Sequence, residues 1–363
     1  MKAIPEPPFT DPCIIHRPIT FHGGGEHYAG TLAEGLDAPI YTLRQTEPLE
    51  QDVEVIEFGD DWDRYGWLLN RLPFRSLLFD AAYSSFEVPK HHDAVITTGD
   101  APKSVIHEPH QQRYHLLHAP RRWLFESRAS YAESAAPIRW IKRMARSYLR
   151  TLDTTSTARI DDFVVNSEVI GRRLETYYRR ASTAVIYPPI DTDAYYHEPS
   201  EGFLLSLGRL EPGKRVQDVV KVVNNTDYQL KIAGTGSAEA DVRAAAGPNV
   251  DVLGYVSEAD KYRLLAECDA VVFNAEQEDF GIVPVEAFAS GKPVVGVAEG
   301  FTPYQIEPGV NGVLYERGAD NLRAALDRLS NQEWGAETIQ ETAMQFDTSS
   351  TLEQWRALLA GEA

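Results

Sequence analysis

Short apolar runs rich in β-branched residues alternate with helical patterns along this chain, and the rhythm is stated twice, once on each side of Tyr187-Pro-Pro-Ile-Asp-Thr-Asp193. Alternation of this kind gives parallel strands with crossover helices, because a parallel neighbour can be reached only by a long connection. In the first half the runs are Cys13 to Thr20, Ile40 to Leu43, Val53 to Phe58, Ala94 to Thr98, His115 to His118 and Phe163 to Asn166, with a glycine loop and a helix from about Glu26 after the first. In the second half they are Phe203 to Ser206, Tyr228 to Ala233, Val250 to Leu253, Ala270 to Phe273 and Pro293 to Val297. Helical patterns start at about Val216, near Ala238, at Ala259 and at Pro284, and a last one covers about Thr351 to Leu359. Adjacent prolines remove ladder donors and extend the backbone, so the domain linker is expected at Pro188-Pro189. Two α/β halves joined there leave a cleft between the carboxyl ends of two sheets, where open α/β folds bind ligands.

Composition narrows the function. The length of 363 residues suits two domains. Asp and Glu number 54 against 35 Lys and Arg, and the resulting formal charge of −19 argues against a protein that coats DNA, whose phosphates it would repel. The acid is spread along the chain, which would suit a salt-rich cytoplasm where repulsion is screened. Cys13 and Cys268 both sit in apolar runs without C-x-x-C spacing, so neither a disulfide scaffold nor a structural zinc is expected. The opening Met-Lys-Ala-Ile-Pro-Glu-Pro-Pro contains no apolar leader region, and no stretch nears the ~18 consecutive apolar residues of a spanning helix. A cytoplasmic protein is expected, one that can still touch a membrane surface.

The most informative stretch is Glu278-Asp-Phe-Gly-Ile-Val-Pro-Val-Glu286. Gly281 permits close backbone approach, Pro284 suits a first helical turn and Gly291 suits a helix C-terminus, so the segment reads as a loop feeding a short helix. Free amides at such a helix start can hold a diphosphate. Carboxylates at the two ends of the segment can accept hydrogen bonds from vicinal hydroxyls, as sugars require. Upstream, Gly208-Arg-Leu-Glu-Pro-Gly-Lys-Arg215 follows a strand and offers Arg209 and Lys214 to the same pocket, a fork and a point charge that both suit phosphate.

Gly-Arg-Leu with Lys214-Arg215, Ile232-Ala-Gly-Thr-Gly236, Gly254-Tyr-Val-Ser and the E-x7-E run from Glu278 to Glu286, in that order and spacing, resemble the donor domain of family 4 retaining glycosyltransferases. The resemblance spans nearly all of the second half. It implies the GT-B fold: an N-terminal Rossmann-like acceptor domain over 1–187, a hinge over 188–200, a C-terminal nucleotide-sugar domain over 201–345, and a helix within 346–363 that returns to the N-terminal domain. It also implies roles. Glu286 would bind ribose hydroxyls, Glu278 with the Phe280, Gly281 and Ile282 backbone would hold the donor hexose, and Arg209 and Lys214 would stabilise the leaving diphosphate. Gly234, Gly236, Tyr255 and Val256 would border the base.

The first half resembles the same family more loosely. His22-Gly-Gly-Gly-Glu26 follows the first strand, and Gly24 and Gly25 would let backbone amides approach the phosphates or the acceptor; the run fails G-x-G-x-x-G, which disfavours a nicotinamide site. Leu117-His-Ala-Pro-Arg-Arg-Trp123 looks like a stretch of mannosyl-type members, which would place His118 near the 6-hydroxyl of the donor sugar. Those members carry an acidic residue soon after the aromatic, whereas here Glu126 shifts it. His107, His110, His115 and His118 crowd together, but on a strand and its loop they are not expected to face one point, and no metal is expected. Asp61-Trp-Asp63, with Asp60 beside it, reads as a solvated helix start.

One helix is strongly basic. Arg139, Lys142, Arg143, Arg146 and Arg150 recur at three- and four-residue steps beside Trp140, Met144 and Tyr148, a pattern suited either to an anionic membrane surface or to domain packing. Taken with these residues, the resemblance implies retaining hexosyl transfer, with mannose from GDP-mannose the favoured donor, to a glycan or polyprenyl-linked acceptor, without a metal or other cofactor. UDP-glucose or UDP-N-acetylglucosamine is the alternative donor. A GT-B epimerase and a non-catalytic two-lobed sugar-binding protein are weaker rivals.

Overall fold

The computed structural model describes residues 11–21, 23–59, 75–126, 136–224 and 226–362, with backbone alone at 75–77, 136–139 and 141. His22, Asp60 and the Asp61-Trp-Asp63 motif lie outside the described residues, as does the side chain of Arg139. The chain forms two compact units, one running to Pro188 and resuming at Leu352, the other Pro189–Thr351.

The first unit holds a seven-stranded sheet: β1 (Pro12–His16), β2 (Ile40–Thr42), β3 (Val55–Glu57), β4 (Ala94–Thr98), β5 (Gln112–Leu117), β6 (Asp162–Val165) and β7 (Ala184–Val185). Every pairing is parallel and the order is β3-β2-β1-β4-β5-β6-β7. The second unit holds β8 (Phe203–Leu207), β9 (Gln229–Ala233), β10 (Val250–Gly254), β11 (Ala270–Phe273), β12 (Val294–Val297) and β13 (Gly312–Tyr315) in the parallel order β10-β9-β8-β11-β12-β13. Each sheet reverses its winding at its first strand, so each has a switch point, between β1 and β4 and between β8 and β11. Loops diverge there and leave a crevice beyond the strands' carboxyl ends.

Strand composition explains the parallel sheets. Ala-Val-Val-Phe in β11 and Val-Val-Gly-Val in β12 are buried along their whole length, as strands covered on both faces must be. Val219, Val220 and Val223 of helix Val216–Val223 pack with Leu204, Leu230, Ile232 and Leu326 in the second unit. In the first unit Tyr28 and Leu32 of helix Gly24–Leu36 join Ile14, Ile96, Leu116 and Trp355. Trp355 is fully buried on the last helix, Thr348–Leu359, and its Nε1 donates to Tyr28 Oη at 3.0 Å, while Tyr28 Oη donates to the Ile186 carbonyl at 3.1 Å.

Several boundaries differ from expectation. The first strand stops at His16, short of Thr20, because Pro18 offers no ladder donor. The segment expected as a hinge over 188–200 is bonded into the second unit: the Ile190 amide donates to the Phe346 carbonyl, Thr192 Oγ1 to Asp347 Oδ2, and Lys292 Nζ to the Glu198 carbonyl. The second unit likewise keeps residues to Thr351. The basic helix runs Ala136–Thr157, and Arg146 fixes it by donating to the carbonyls of Leu124 and Glu126 at 2.9 and 2.8 Å. Cys13 and Cys268 are free and buried, and burial raises both thiols. Among the described residues no helix is long and apolar enough to cross a membrane.

Candidate functional site

In the second unit the loops leaving β8, β9 and β10 lie against one another. The Gly208 amide donates to the Ala233 carbonyl, the Leu210 amide to the Thr235 carbonyl and the Gly234 amide to the Gly254 carbonyl, at 3.0, 2.8 and 2.7 Å. Approach this close demands glycine: a Cβ on Gly234, at φ +135°, would stand 1.9 Å from the Gly208 oxygen. A Cβ on Gly236 would stand 2.4 Å from the Leu210 oxygen. The β8 loop then makes a single 3-10 turn, Pro212–Lys214, and Arg215 in left-handed backbone starts helix Val216–Val223.

Across the switch point, β11 feeds the loop that carries Glu278, Phe280 and Gly281 into helix Ile282–Ala289. Gly281, at φ +78°, is the N-cap and supplies no side chain to the helix amides, so they stay available to an anion. A Cβ there would come 2.9 Å from Phe273 Cζ. Gln305 Nε2 donates to the Gly281 carbonyl at 2.9 Å, the Phe301 amide donates to the Glu278 carbonyl at 2.9 Å, and Phe280 stacks on Phe301 with centroids 5.3 Å apart. Pro284 is the third helical residue, where its missing amide costs no hydrogen bond.

Three ion pairs, two of them sharing Lys261, organise the charge. Lys214 Nζ meets Glu278 Oε2 at 2.6 Å, with both side chains about a quarter exposed. Glu286, on the helix, has a side chain only 8% exposed, and its Oε1 accepts from Tyr195 Oη at 2.9 Å and from Lys261 Nζ at 3.0 Å. Lys261 is paired with Glu258 as well, at 2.7 Å. Burial works against the Lys261 charge, but Glu286 and Glu258 outweigh it and raise its pKa; burial and the Glu286 charge raise the Tyr195 phenol.

Of the residues expected here, Lys214 and Glu278 are in contact, Phe280, Gly281, Ile282 and Glu286 share one loop and helix, and Gly234 and Gly236 sit against the β8 loop. Arg209 is exposed, and among the described residues it forms no ion pair with Glu278; its charge acts on Glu211. Arg215 is directed to Glu276, at 3.0 Å, and to Asp218. Tyr255 is 82% exposed and Val256 half-buried. Sequence reasoning missed Tyr195 and Lys261. Lys261 stands three residues after Glu258 on a helix capped by Ser257, the mark of a surface pair, and nothing in its local pattern points to Glu286.

The first unit has its own cluster at the carboxyl ends of β1, β4 and β5. Arg17 grips Glu26 Oε1 through Nε and a terminal nitrogen at 2.9 and 2.7 Å. Glu26 is 1% exposed; burial opposes its charge, but His16 and Arg17 hold its carboxyl below the usual range. His118 Nε2 lies 2.9 Å from Thr98 Oγ1, and burial lowers its pKa to about 3, so the ring is neutral near pH 7 and offers a hydrogen bond to a hydroxyl. A Cβ on Gly24 would meet nothing within 4 Å, and one on Gly25 would lie 3.6 Å from Arg17 and 3.9 Å from His118. His110 bonds to the Lys90 carbonyl and His115 to Thr97, so those histidines do not converge with His118. Asp11, His91 and His92 are the group that does converge among the described residues, with ligand atoms within 4.8 Å. His92 already spends both ring nitrogens, on Asp11 and on Tyr41.

Residues 193–346 match the family described as Glycosyl transferases group 1. An uncharacterised glycosyltransferase of Methanocaldococcus jannaschii is 25% identical over 204 residues, 55% of this chain and 58% of the relative. The D-inositol 3-phosphate glycosyltransferase of Mycobacterium marinum is 27% identical over 203 residues, 49% of this chain and 44% of the relative. The chain thus spans about half the length of these curated relatives. Among solved structures, the Anabaena protein HepE in complex with UDP superposes with a TM-score of 0.68 at 19% identity, over 96% of this chain and 99% of that one. Over its length, then, this chain has the GT-B fold of two Rossmann-like domains, and within its second unit it carries the match to Glycosyl transferases group 1.

Proposed function

We propose that this protein is a glycosyltransferase that binds a nucleoside diphosphate sugar on its second unit and moves the hexose, with retention, to a hydroxyl of a glycan or lipid-linked saccharide. The observation that carries the reading is the ion pair joining Lys214, on the loop after β8, to Glu278, on the loop that opens into an uncapped helix start at Gly281, with Glu286 on that helix. Cleavage of the anomeric bond builds positive charge on the sugar and negative charge on the β-phosphate, so the step needs cations and oriented amides at the phosphate. Lys214, freed from Glu278 when a phosphate arrives, and the amides after Gly281 meet that need without a metal ion, and exposed Arg209 adds a second cation. Glu278 and the Phe280 to Ile282 backbone take the hexose hydroxyls, and Glu286 the ribose. As the bond to phosphate breaks, the new glycosidic bond forms on the same face, and the acceptor proton passes to the departing phosphate oxygen. In the first unit we assign neutral His118 to a substrate hydroxyl and the amides at Gly24 and Gly25 to phosphate or acceptor.

For the donor we keep GDP-mannose, which the resemblance to mannosyl-type members favours. UDP-glucose is the second reading, supported by the Anabaena protein, which was also solved with UDP-glucose. The base border at Gly234, Gly236, Tyr255 and Val256 is largely backbone and exposed ring. We also propose that helix Ala136–Thr157 rests on an anionic lipid surface and so brings the enzyme to a lipid-linked acceptor.

Thermal shift with GDP-mannose, UDP-glucose, UDP-N-acetylglucosamine and the bare diphosphates tests the donor, because a ligand of the native state raises the melting temperature with the logarithm of its concentration over Kd. A GDP-selective shift is expected, with release of free nucleoside diphosphate once acceptor is added. A UDP-selective shift would replace mannose by the second reading, and no shift with any nucleotide would overturn the reading as a whole.

A further inference from the structure

Glu286 receives both of its hydrogen bonds on one oxygen. A carboxylate oxygen has two acceptor sites, and Oε1 fills them with Tyr195 Oη at 2.9 Å and Lys261 Nζ at 3.0 Å. Oε2 accepts no hydrogen bond among the described residues. The donors come from two different elements, Tyr195 from the segment that enters the unit and Lys261 from helix Glu258–Glu267, so they fix both the position of the carboxylate and its rotation. They are locked in turn. The Tyr195 ring meets Tyr262 edge to face at 4.9 Å, Lys261 Nζ lies 5.8 and 5.0 Å from those two ring centroids, and Glu258 pairs with the same ammonium at 2.7 Å.

We infer that Lys261 and Tyr195 are positioning residues that saturate Glu286 Oε1 and present Oε2 to the vicinal hydroxyls of a nucleotide ribose. The inference rests on the assignment of Glu286 to the ribose made above. It adds that selectivity for a ribose diol depends on two side chains that need not touch the ligand. A charged oxygen with both lone pairs open accepts two neighbouring hydroxyls at once, and it keeps that aim only while its partner oxygen is pinned. Without the Lys261 ammonium the carboxylate is held by Tyr195 alone, one donor about which it can turn, and it also loses its compensating charge.

Isothermal titration of the full chain with UDP and GDP, and with their 2′,3′-dideoxy counterparts, tests this. Two hydroxyls bonded to a carboxylate are worth more than about tenfold in affinity, so wild type should prefer the ribose form of its own base by at least that factor. Lys261→Met should bring the ratio close to one and leave affinity for the dideoxy form nearly unchanged, Tyr195→Phe should lower it part of the way, and Lys261→Arg should restore it. Tyr195→Phe removes only a hydroxyl, so it keeps the test alive if Lys261→Met does not fold. If both variants keep the wild-type ratio while Glu286→Gln abolishes it, the positioning role is overturned and the ribose assignment stands. If wild type does not discriminate, or Glu286→Gln still does, the ribose assignment falls and this inference with it.

Discussion

At the residue scale, Lys214 and Glu278 make the sharpest demand on experiment. Their pair is part-exposed, and exposed pairs contribute about 0 to 1 kcal/mol, so Lys214→Ala should fold and lower the melting temperature by no more than a few degrees. A cation that meets the leaving phosphate only as charge develops is worth about a hundredfold or more in turnover, and that loss is expected in steady-state release of nucleoside diphosphate. Near-normal turnover would remove Lys214 from the site. Glu286→Ala should cut turnover as deeply, but it also removes the acceptor of Tyr195 and one of the two carboxylates of Lys261, whose side chain is 18% exposed, so Glu286→Gln is the cleaner probe. These residues were legible because their spacing lies within one or two segments: Glu278 and Glu286 bracket a single loop and helix start, and Lys214 follows a glycine turn. Lys261 and Tyr195 were not, since each acts on a residue far along the chain that only the folded sheet order brings near.

At the element scale, strand existence was legible and strand ends were less so. Fully apolar runs such as Val-Val-Gly-Val mark a strand covered on both faces, whereas the end of β1 is set by the single residue Pro18. Helix Ala319–Ser330 went unread although Leu322, Ala325, Leu326 and Leu329 form its buried stripe, and helix Ala336–Ala343 buries only Ile339 and Ala343, too few positions to show a period. Helix Ala136–Thr157 carries its pattern in plain view. Trp140, Met144 and Tyr148 are 64%, 55% and 61% exposed at four-residue steps, and Lys142, Arg143 and Arg150 are exposed with them. Arg146 is turned inward and holds the helix in place, and among the described residues the outward aromatic stripe takes no part in the core clusters of the first unit. An aromatic stripe flanked by cations suits an anionic lipid surface, and the attraction should weaken with salt. Flotation with vesicles rich in anionic lipid should recover the wild type at low salt and much less of a variant with Lys142, Arg143 and Arg150 all changed to Glu. Equal recovery of the two would sink the membrane proposal.

At the scale of the whole molecule, the chain returns at its end to the unit it began. The last helix starts in the second unit at Thr348, and from Leu352 on its residues belong to the first. Its anchor is Trp355, fully buried among Ile14, Tyr28, Leu32 and Leu116 and bonded to Tyr28 Oη, which bonds in turn to Ile186 at the end of the first sheet. Gly35 lets the helix approach, since a Cβ there would lie 2.3 Å from Leu352 Cδ2, and Arg356 donates to the Gly35 carbonyl at 2.7 Å. Truncating a buried Trp costs about 3–5 kcal/mol, and in a unit of this size each kcal/mol lowers the melting temperature by about 2–4 °C, so Trp355→Ala should destabilise by roughly 10 °C. The loss should fall on the first unit, because no residue of the Lys214, Glu278 and Glu286 constellation packs against Trp355. Calorimetry of Trp355→Ala with and without nucleotide separates the two: one transition should move down, and the other should still be raised by the ligand as in wild type. A single transition that moves down and no longer responds to nucleotide would mean that the two units do not fold as separate bodies.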